Sequence, residues 1–212
     1  MGLRRQFRSG AMTCVLASFV LVAALLLLAP ATHATPIHFA VTLSGATESP
    51  PVSPAGTGQA LVTLDPTAQT LQLNIVFSGL TSNTQAAHIH CCLAIPFTGN
   101  VGVATTIPAF VGFPLNVTSG NYFSQVFDLT QPLIYNPAFV TAQGGLPQAE
   151  AAFISGVLQP GTVYLNIHTV NNTGGEIRGF LFATPEPASL LLLGFGLIGF
   201  ASMQRRRKFN RP

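Results

Sequence analysis

Between Thr35 and Thr184 this 212-residue chain holds a single basic residue, Arg178. Of its nine Lys and Arg residues, three lie at the start (Arg4, Arg5, Arg8) and five at the end (Arg205, Arg206, Arg207, Lys208, Arg211). The same interval carries five acids, Glu48, Asp65, Asp128, Glu150 and Glu176, so it is mildly acidic although the whole-chain pI is near 9.1. A stretch with one cation offers no basic patch to phosphates, which excludes nucleic acid as a partner. There is no G-x-S-x-G nucleophile elbow, and no pair of carboxylates is spaced for acid–base work. A hydrolase therefore finds no support, and no residue is singled out as catalytic. Cysteine is scarce as well: Cys14, Cys91 and Cys92 are the only three.

The basic residues that do exist sit beside apolar runs. At the N-terminus "MGLRRQFRSG" precedes "AMTCVLASFVLVAALLLLAP" and the small residues of "ATHA", the order of a secretory signal peptide, with cleavage expected after Ala34. Cys14 would leave with it. At the C-terminus Pro185, Glu186 and Pro187 precede "ASLLLLGFGLIGFASM" and then "QRRRKFNRP". The apolar part, 188–203, would measure roughly 24 Å as a helix at about 1.5 Å per residue. That is short for a hydrocarbon core of about 30 Å but usable with local thinning, so a transmembrane helix is expected there. The cationic end should stay cytoplasmic and leave the domain outside. This three-part tail resembles the PEP-CTERM sorting signal of Gram-negative bacteria. The resemblance implies an exosortase-type processing enzyme as partner, cleavage near Pro185–Pro187, and delivery to the cell surface or the exopolysaccharide matrix. The expected organisation is a signal peptide over 1–34, a domain over 35–184 and a sorting segment over 185–212.

About 150 residues make the exported domain, enough for one proper core. Short alternating runs dominate it: "IHFAVTL", "GQALVTLD", "TLQLNIVFSGL", "NYFSQVFDL", "TVYLNIHT" and "EIRGFLFA". Turn signals such as "SPPVSPAGTG", "DPTAQ", "LQPG" and "NNTGGE" separate them. Only "PQAEAAFISGVL", Pro147 to Leu158, opens as a helix should, on Pro with an acid in its first turn. The pattern predicts an all-β antiparallel sandwich or barrel with one short helix.

Several of these stretches, "FAVTLSGATESPPVSPAGTGQALVTLD", "LNIVFSGL", "AAHIH" and "YLNIHTVNNTGGEIRGFL", resemble the CHRD (chordin-type) domain over nearly all of 38–182. The resemblance implies an immunoglobulin-like or Greek-key β fold of the kind used in secreted and matrix proteins.

In "AAHIHCC" (86–92), strand alternation puts His88 and His90 on one face and Ala87 and Ile89 on the other. In "VYLNIH" it puts His168 with Tyr164 and Asn166, opposite Val163, Leu165 and Ile167. The apolar residues take the core, so the three histidines are expected on an outer, polar face. There they can converge if the two strands are neighbours. Three imidazoles suit copper or zinc. The layout, His-x-His on one strand and a later His before a Gly-rich turn, is similar to that of Cu/Zn superoxide dismutases. That resemblance carries His88, His90 and His168 over as copper ligands. It goes no further, because the middle of the chain has no bridging histidine and no His and Asp set for zinc. His38 falls outside the pattern.

Cys91 and Cys92 are expected to be oxidised in an exported protein, with each other or with another chain. If the strand runs on, Cys92 lies on the histidine face and offers a thiolate. Glu176 and Arg178 share one face of the last strand, where the lone cation should pair with Glu176 or another acid and fix the turn after "NNTGG". Two function classes stay open: a noncatalytic surface or matrix protein, and a copper- or zinc-binding module.

Overall fold

The computed structural model describes residues 35–183, 193–198 and 200. The expected signal peptide over 1–34 and the Pro185–Pro187 motif lie outside the described residues. So does most of the apolar run at 188–203; its described part, 193–198 and 200, is helical. Among the described residues no helix is long and apolar enough to cross a membrane.

The alternating runs become strands β1 (Ile37–Ser44), β2 (Thr57–Asp65), β3 (Thr70–Ser78), β4 (Thr84–His90), β5 (Gly120–Phe123), β6 (Phe127–Asp128), β7 (Tyr164–Thr169) and β8 (Ile177–Phe180). They form one curled antiparallel sheet in the order β4-β7-β8-β1-β2-β3-β5, with β6 also on β3. Of the two expected arrangements, sandwich or barrel, the strands take one nearer the second: they share a single curled sheet, a half-barrel, and do not divide into two. Local pairing explains part of this. Asp65 accepts from the Thr67 and Ala68 amides at 2.9 and 2.8 Å, so the "DPTAQ" turn folds β3 directly back on β2. β1 and β2 then pair over eight residues, from Ile37 opposite Leu64 to Ser44 opposite Thr57. The late strands β7 and β8 close on β1 through Ser44 opposite Arg178.

One face of the sheet carries the core. Phe39, Val41 and Leu43 of β1 are buried with Val62 and Leu64 of β2, Leu71, Leu73 and Ile75 of β3, Ile89 of β4, and Leu165 and Ile167 of β7. Each such side chain stabilises the fold by about 1.5–3 kcal/mol through removal from water. Within 35–183 two α-helices stand where one was expected: α1 (Pro137–Gln143) and α2 (Leu146–Leu158). α1 was hidden by its length of seven residues, but its signals are in the sequence. Asn136 caps it by accepting from the Ala138 amide at 3.0 Å, Pro137 opens it, and Gly144 at φ 89° ends it. α2 contributes Ala149, Phe153 and Val157 to the core, on the spacing of one helical face.

Candidate metal centre

β4 and β7 are adjacent and antiparallel, and their register places His90 opposite Tyr164, His88 opposite Asn166 and Ala86 opposite His168. With side chains alternating, His88, His90, Tyr164, Asn166 and His168 all leave the sheet on the face away from Ile89, Leu165 and Ile167. The histidine rings come together there. Ring centroids are 4.5 Å apart for His88 and His168, 4.9 Å for His88 and His90, and 5.7 Å for His90 and His168. One ligating nitrogen from each lies within 4.8 Å of the other two. Bonds of about 2.0–2.1 Å to one tetrahedral ion put ligand nitrogens roughly 3.3 Å apart, so the three must draw closer together to share an ion.

The face is not the exposed one expected from polarity. His88, His90 and His168 are 5%, 8% and 8% exposed. The shared face follows from strand parity, but three loops fold over this side and close it to solvent. The first follows β1: its Glu48 lies 3.8 Å from the Arg178 guanidinium, whose Nε also donates to the Thr47 carbonyl. The second, 97–101, is held by Arg178 Nη1, which donates to Gly99 O at 3.0 Å and Asn100 Oδ1 at 2.8 Å. The third is the turn between β7 and β8. Gly175 sits in it at φ 125°, and a Cβ there would lie 2.4 Å from Asn166 Nδ2 and 2.7 Å from Glu48 Oε1. Only glycine has both the conformation and the space to let that turn close.

The loops also orient the rings. His90 Nδ1 lies 2.7 Å from Val101 O, and His168 Nδ1 lies 2.9 Å from Thr173 O. A carbonyl can only accept, so both Nδ1 atoms carry the proton and both Nε2 atoms present a lone pair. Those two Nε2 atoms are buried without a hydrogen-bond partner, as is Nδ1 of His88. Each histidine thus contributes one desolvated, unpartnered nitrogen. Tyr164 stacks on His90 with centroids 4.6 Å apart, receives the Val101 amide on its hydroxyl at 3.2 Å, and has the Arg178 guanidinium 4.6 Å from its ring centroid. Stacking of this kind fixes the ring plane of His90.

Burial keeps the cluster neutral. It pushes the pKa of His88 down to about 3, helped by the neighbouring His168 and His90, and that of His90 down to about 4. His168 is lowered for the same reason, against the opposing effect of its bond to Thr173. On the acid side burial raises Glu48 to about 7 and outweighs the attraction of Arg178. Glu176 is held below the usual carboxylate range despite its burial, because it accepts from Thr169 Oγ1, from the Thr81 amide and hydroxyl, and from the Gly56 amide.

The lone cation therefore pairs with Glu48, not Glu176; the latter ties β7, the start of β8 and the loops before β2 and β4 together. Cys91 and Cys92 are bonded to each other, as expected for the oxidised pair. Their sulfurs face α2, where a Cβ on Gly156 would lie 2.4 Å from Cys92 Sγ and 2.7 Å from Cys91 Sγ. Cys92 is thus no partner of the histidines: the sulfur is turned to the helix, and among the described residues the candidate ligand group is His88, His90 and His168. His38 stays apart, bonded to Thr63 Oγ1 at 3.0 Å. Sequence reasoning did not name Glu48, Tyr164 or Asn166 for the site. Glu48 had a signal, since it is an acid in a Pro-rich loop of a domain whose one cation needs a partner.

No curated protein and no solved structure matches the chain significantly. Residues 183–207 match the PEP-CTERM protein-sorting motif, the mark of a substrate for an exosortase-type enzyme. The family profile of the CHRD domain matches residues 39–181, which take in all of β2 to β8, most of β1 and all three histidines of the centre, and the chain belongs to that family.

Proposed function

We propose that this is an exported surface protein whose CHRD domain holds one copper or zinc ion through His88, His90 and His168. The observation that carries the reading is twofold: each histidine has one buried, unpartnered ring nitrogen, and the three residues bring one ligating nitrogen each within 4.8 Å of the others. Leaving a buried acceptor unsatisfied costs about 1–3 kcal/mol each, and here three such groups point at one place. A bound ion recovers that cost, and the two Nδ1–H donors to backbone carbonyls have the form that metal-binding histidines take. The protein's part is to keep the imidazoles neutral, hold their tautomers and exclude water. The PEP-CTERM motif supports a destination at the cell surface or in the exopolysaccharide layer, reached from an inner-membrane precursor.

The full-length protein, loaded with excess copper or zinc and desalted, should retain one ion per chain by elemental analysis. His168→Ala should lower the affinity at least a hundredfold, since the two remaining donors lie on one strand. Less than a tenth of an equivalent in the unaltered protein, or unchanged binding in His168→Ala, would refute the centre. Sorting is tested separately. Replacing Pro185, Glu186 and Pro187 by alanine should leave an unprocessed form in the membrane fraction, and normal release at the processed mass would contradict that part of the reading.

A further inference from the structure

We propose that the centre is built for copper and holds it as Cu(I) in preference to any divalent ion, an inference that rests on the three-histidine reading above. Its first ground is charge. The candidate group contains three imidazoles and neither a carboxylate nor a thiolate. The formal charges facing it across the covering loops are Arg178 and Glu48, and these two lie 3.8 Å apart as a pair. Nothing fixed is left over to offset an incoming ion. The electrostatic cost of burying an ion scales with the square of its charge, so a divalent ion at this place is penalised about four times as heavily as a monovalent one.

The second ground is coordination number. Zn(II) in a three-ligand site takes a fourth ligand, ordinarily water, and that water needs room and hydrogen-bond partners. Here the donors are 5–8% exposed under loops held by Arg178, by the Glu48 turn and by Gly175. Cu(I), a closed-shell d¹⁰ ion, is satisfied by three nitrogens in a plane. Cu(II) prefers a tetragonal set that two strands and three imidazoles do not supply. The third ground is orientation. The carbonyls of Val101 and Thr173 hold two of the lone pairs in place, so the pocket does not re-form around a larger ligand set. Sulfur, the other donor for Cu(I), is withdrawn in the Cys91–Cys92 bond and turned to α2.

The test is competition on the full-length protein, using Cu(I) under anaerobic conditions against a chromophoric chelator, and Cu(II) and Zn(II) in the same format. Cu(I) should bind one per chain with a Kd at least a hundredfold below that of Cu(II). At 59 mV per tenfold for a one-electron couple, that places the bound couple about 118 mV above the aqueous one. Equal or tighter binding of Cu(II) or Zn(II) would overturn the inference while leaving the centre standing. Absence of binding by all three ions would overturn the centre itself. Asn166 lies opposite His88 in the register. Asn166→Asp, which sets a carboxylate beside the donors, should shift the Cu(I)-to-Cu(II) ratio at least tenfold toward Cu(II). An unchanged ratio in folded Asn166→Asp would also overturn the inference, and the comparison of ions on the unaltered protein stands even where that variant does not fold.

Discussion

Arg178→Met is expected to destabilise the domain by about 3–5 kcal/mol, the range for removing one partner of a buried ion pair. The side chain is 2% exposed and ties two loops, the one after β1 and 97–101, to its own strand. Its Nε donates to Thr47 O and faces Glu48, and its Nη1 donates to Gly99 O and Asn100 Oδ1. Its guanidinium also covers the rings of Tyr164 at 4.6 Å and Phe180 at 5.4 Å. Methionine replaces the stem and none of the donors, leaving Glu48 buried with no counter-charge. Arg178→Lys should recover little, because a compact ammonium cannot reproduce a planar fork that serves Thr47, Gly99 and Asn100 together. Adding Glu48→Leu to Arg178→Met should return part of the loss, since the stranded carboxyl is then gone. Urea unfolding of the four proteins at one pH measures all of this. A loss below about 1 kcal/mol for Arg178→Met would mean that the loops over the histidines are held by something else.

Stability of the metal-free protein should fall by about 2–4 kcal/mol as the pH drops from about 6.5 to 4.5. The sign follows from proton counts. The unfolded chain protonates its histidines near 6.5, whereas burial in the folded state holds His88 at about 3 and His90 at about 4 and lowers His168 as well. Through that window the unfolded state binds protons that the folded state refuses, and each such proton favours unfolding by up to about 1.4 kcal/mol per pH unit. Glu48 works the other way. Its folded pKa is raised to about 7, so between roughly 7 and 4.5 the folded state holds one proton that the unfolded state has released. Three histidines against one carboxyl leave the net slope destabilising toward acid. Replacing His88 and His90 by glutamine should flatten the curve, and bound metal should move it to lower pH by blocking protonation. A metal-free protein equally stable at pH 6.5 and 4.5 would show that the rings are open to water.

The β character of the domain was legible because its core strands alternate cleanly. "LVTLD" and "TLQLNIVFS" each bury every second residue. The same alternation puts His88, His90 and His168 on one face, because side-chain parity within a strand is a local property of the backbone. The helix read at Pro147–Leu158 from its opening Pro147 and Glu150 is present at Leu146–Leu158, while α1 was too short to show a period.

What the chain by itself determined was therefore which residues face the same way, and, through the motif at 183–207, that it carries a PEP-CTERM sorting signal. Tertiary structure decided three further things. It made β4 and β7 neighbours, which brings His168 beside His88 across 80 residues of sequence. It buried a polar face, since the loops carrying Glu48, Asn100 and Thr173 were free to fold back over it once Arg178 and Gly175 held them there. And it chose Glu48 over Glu176 as the partner of the one cation, because Glu176 is already saturated by hydrogen bonds from Thr81, Thr169 and Gly56. Parity needs only a residue's neighbours in the chain; burial and pairing depend on which distant segment arrives, and no local pattern encodes that arrival.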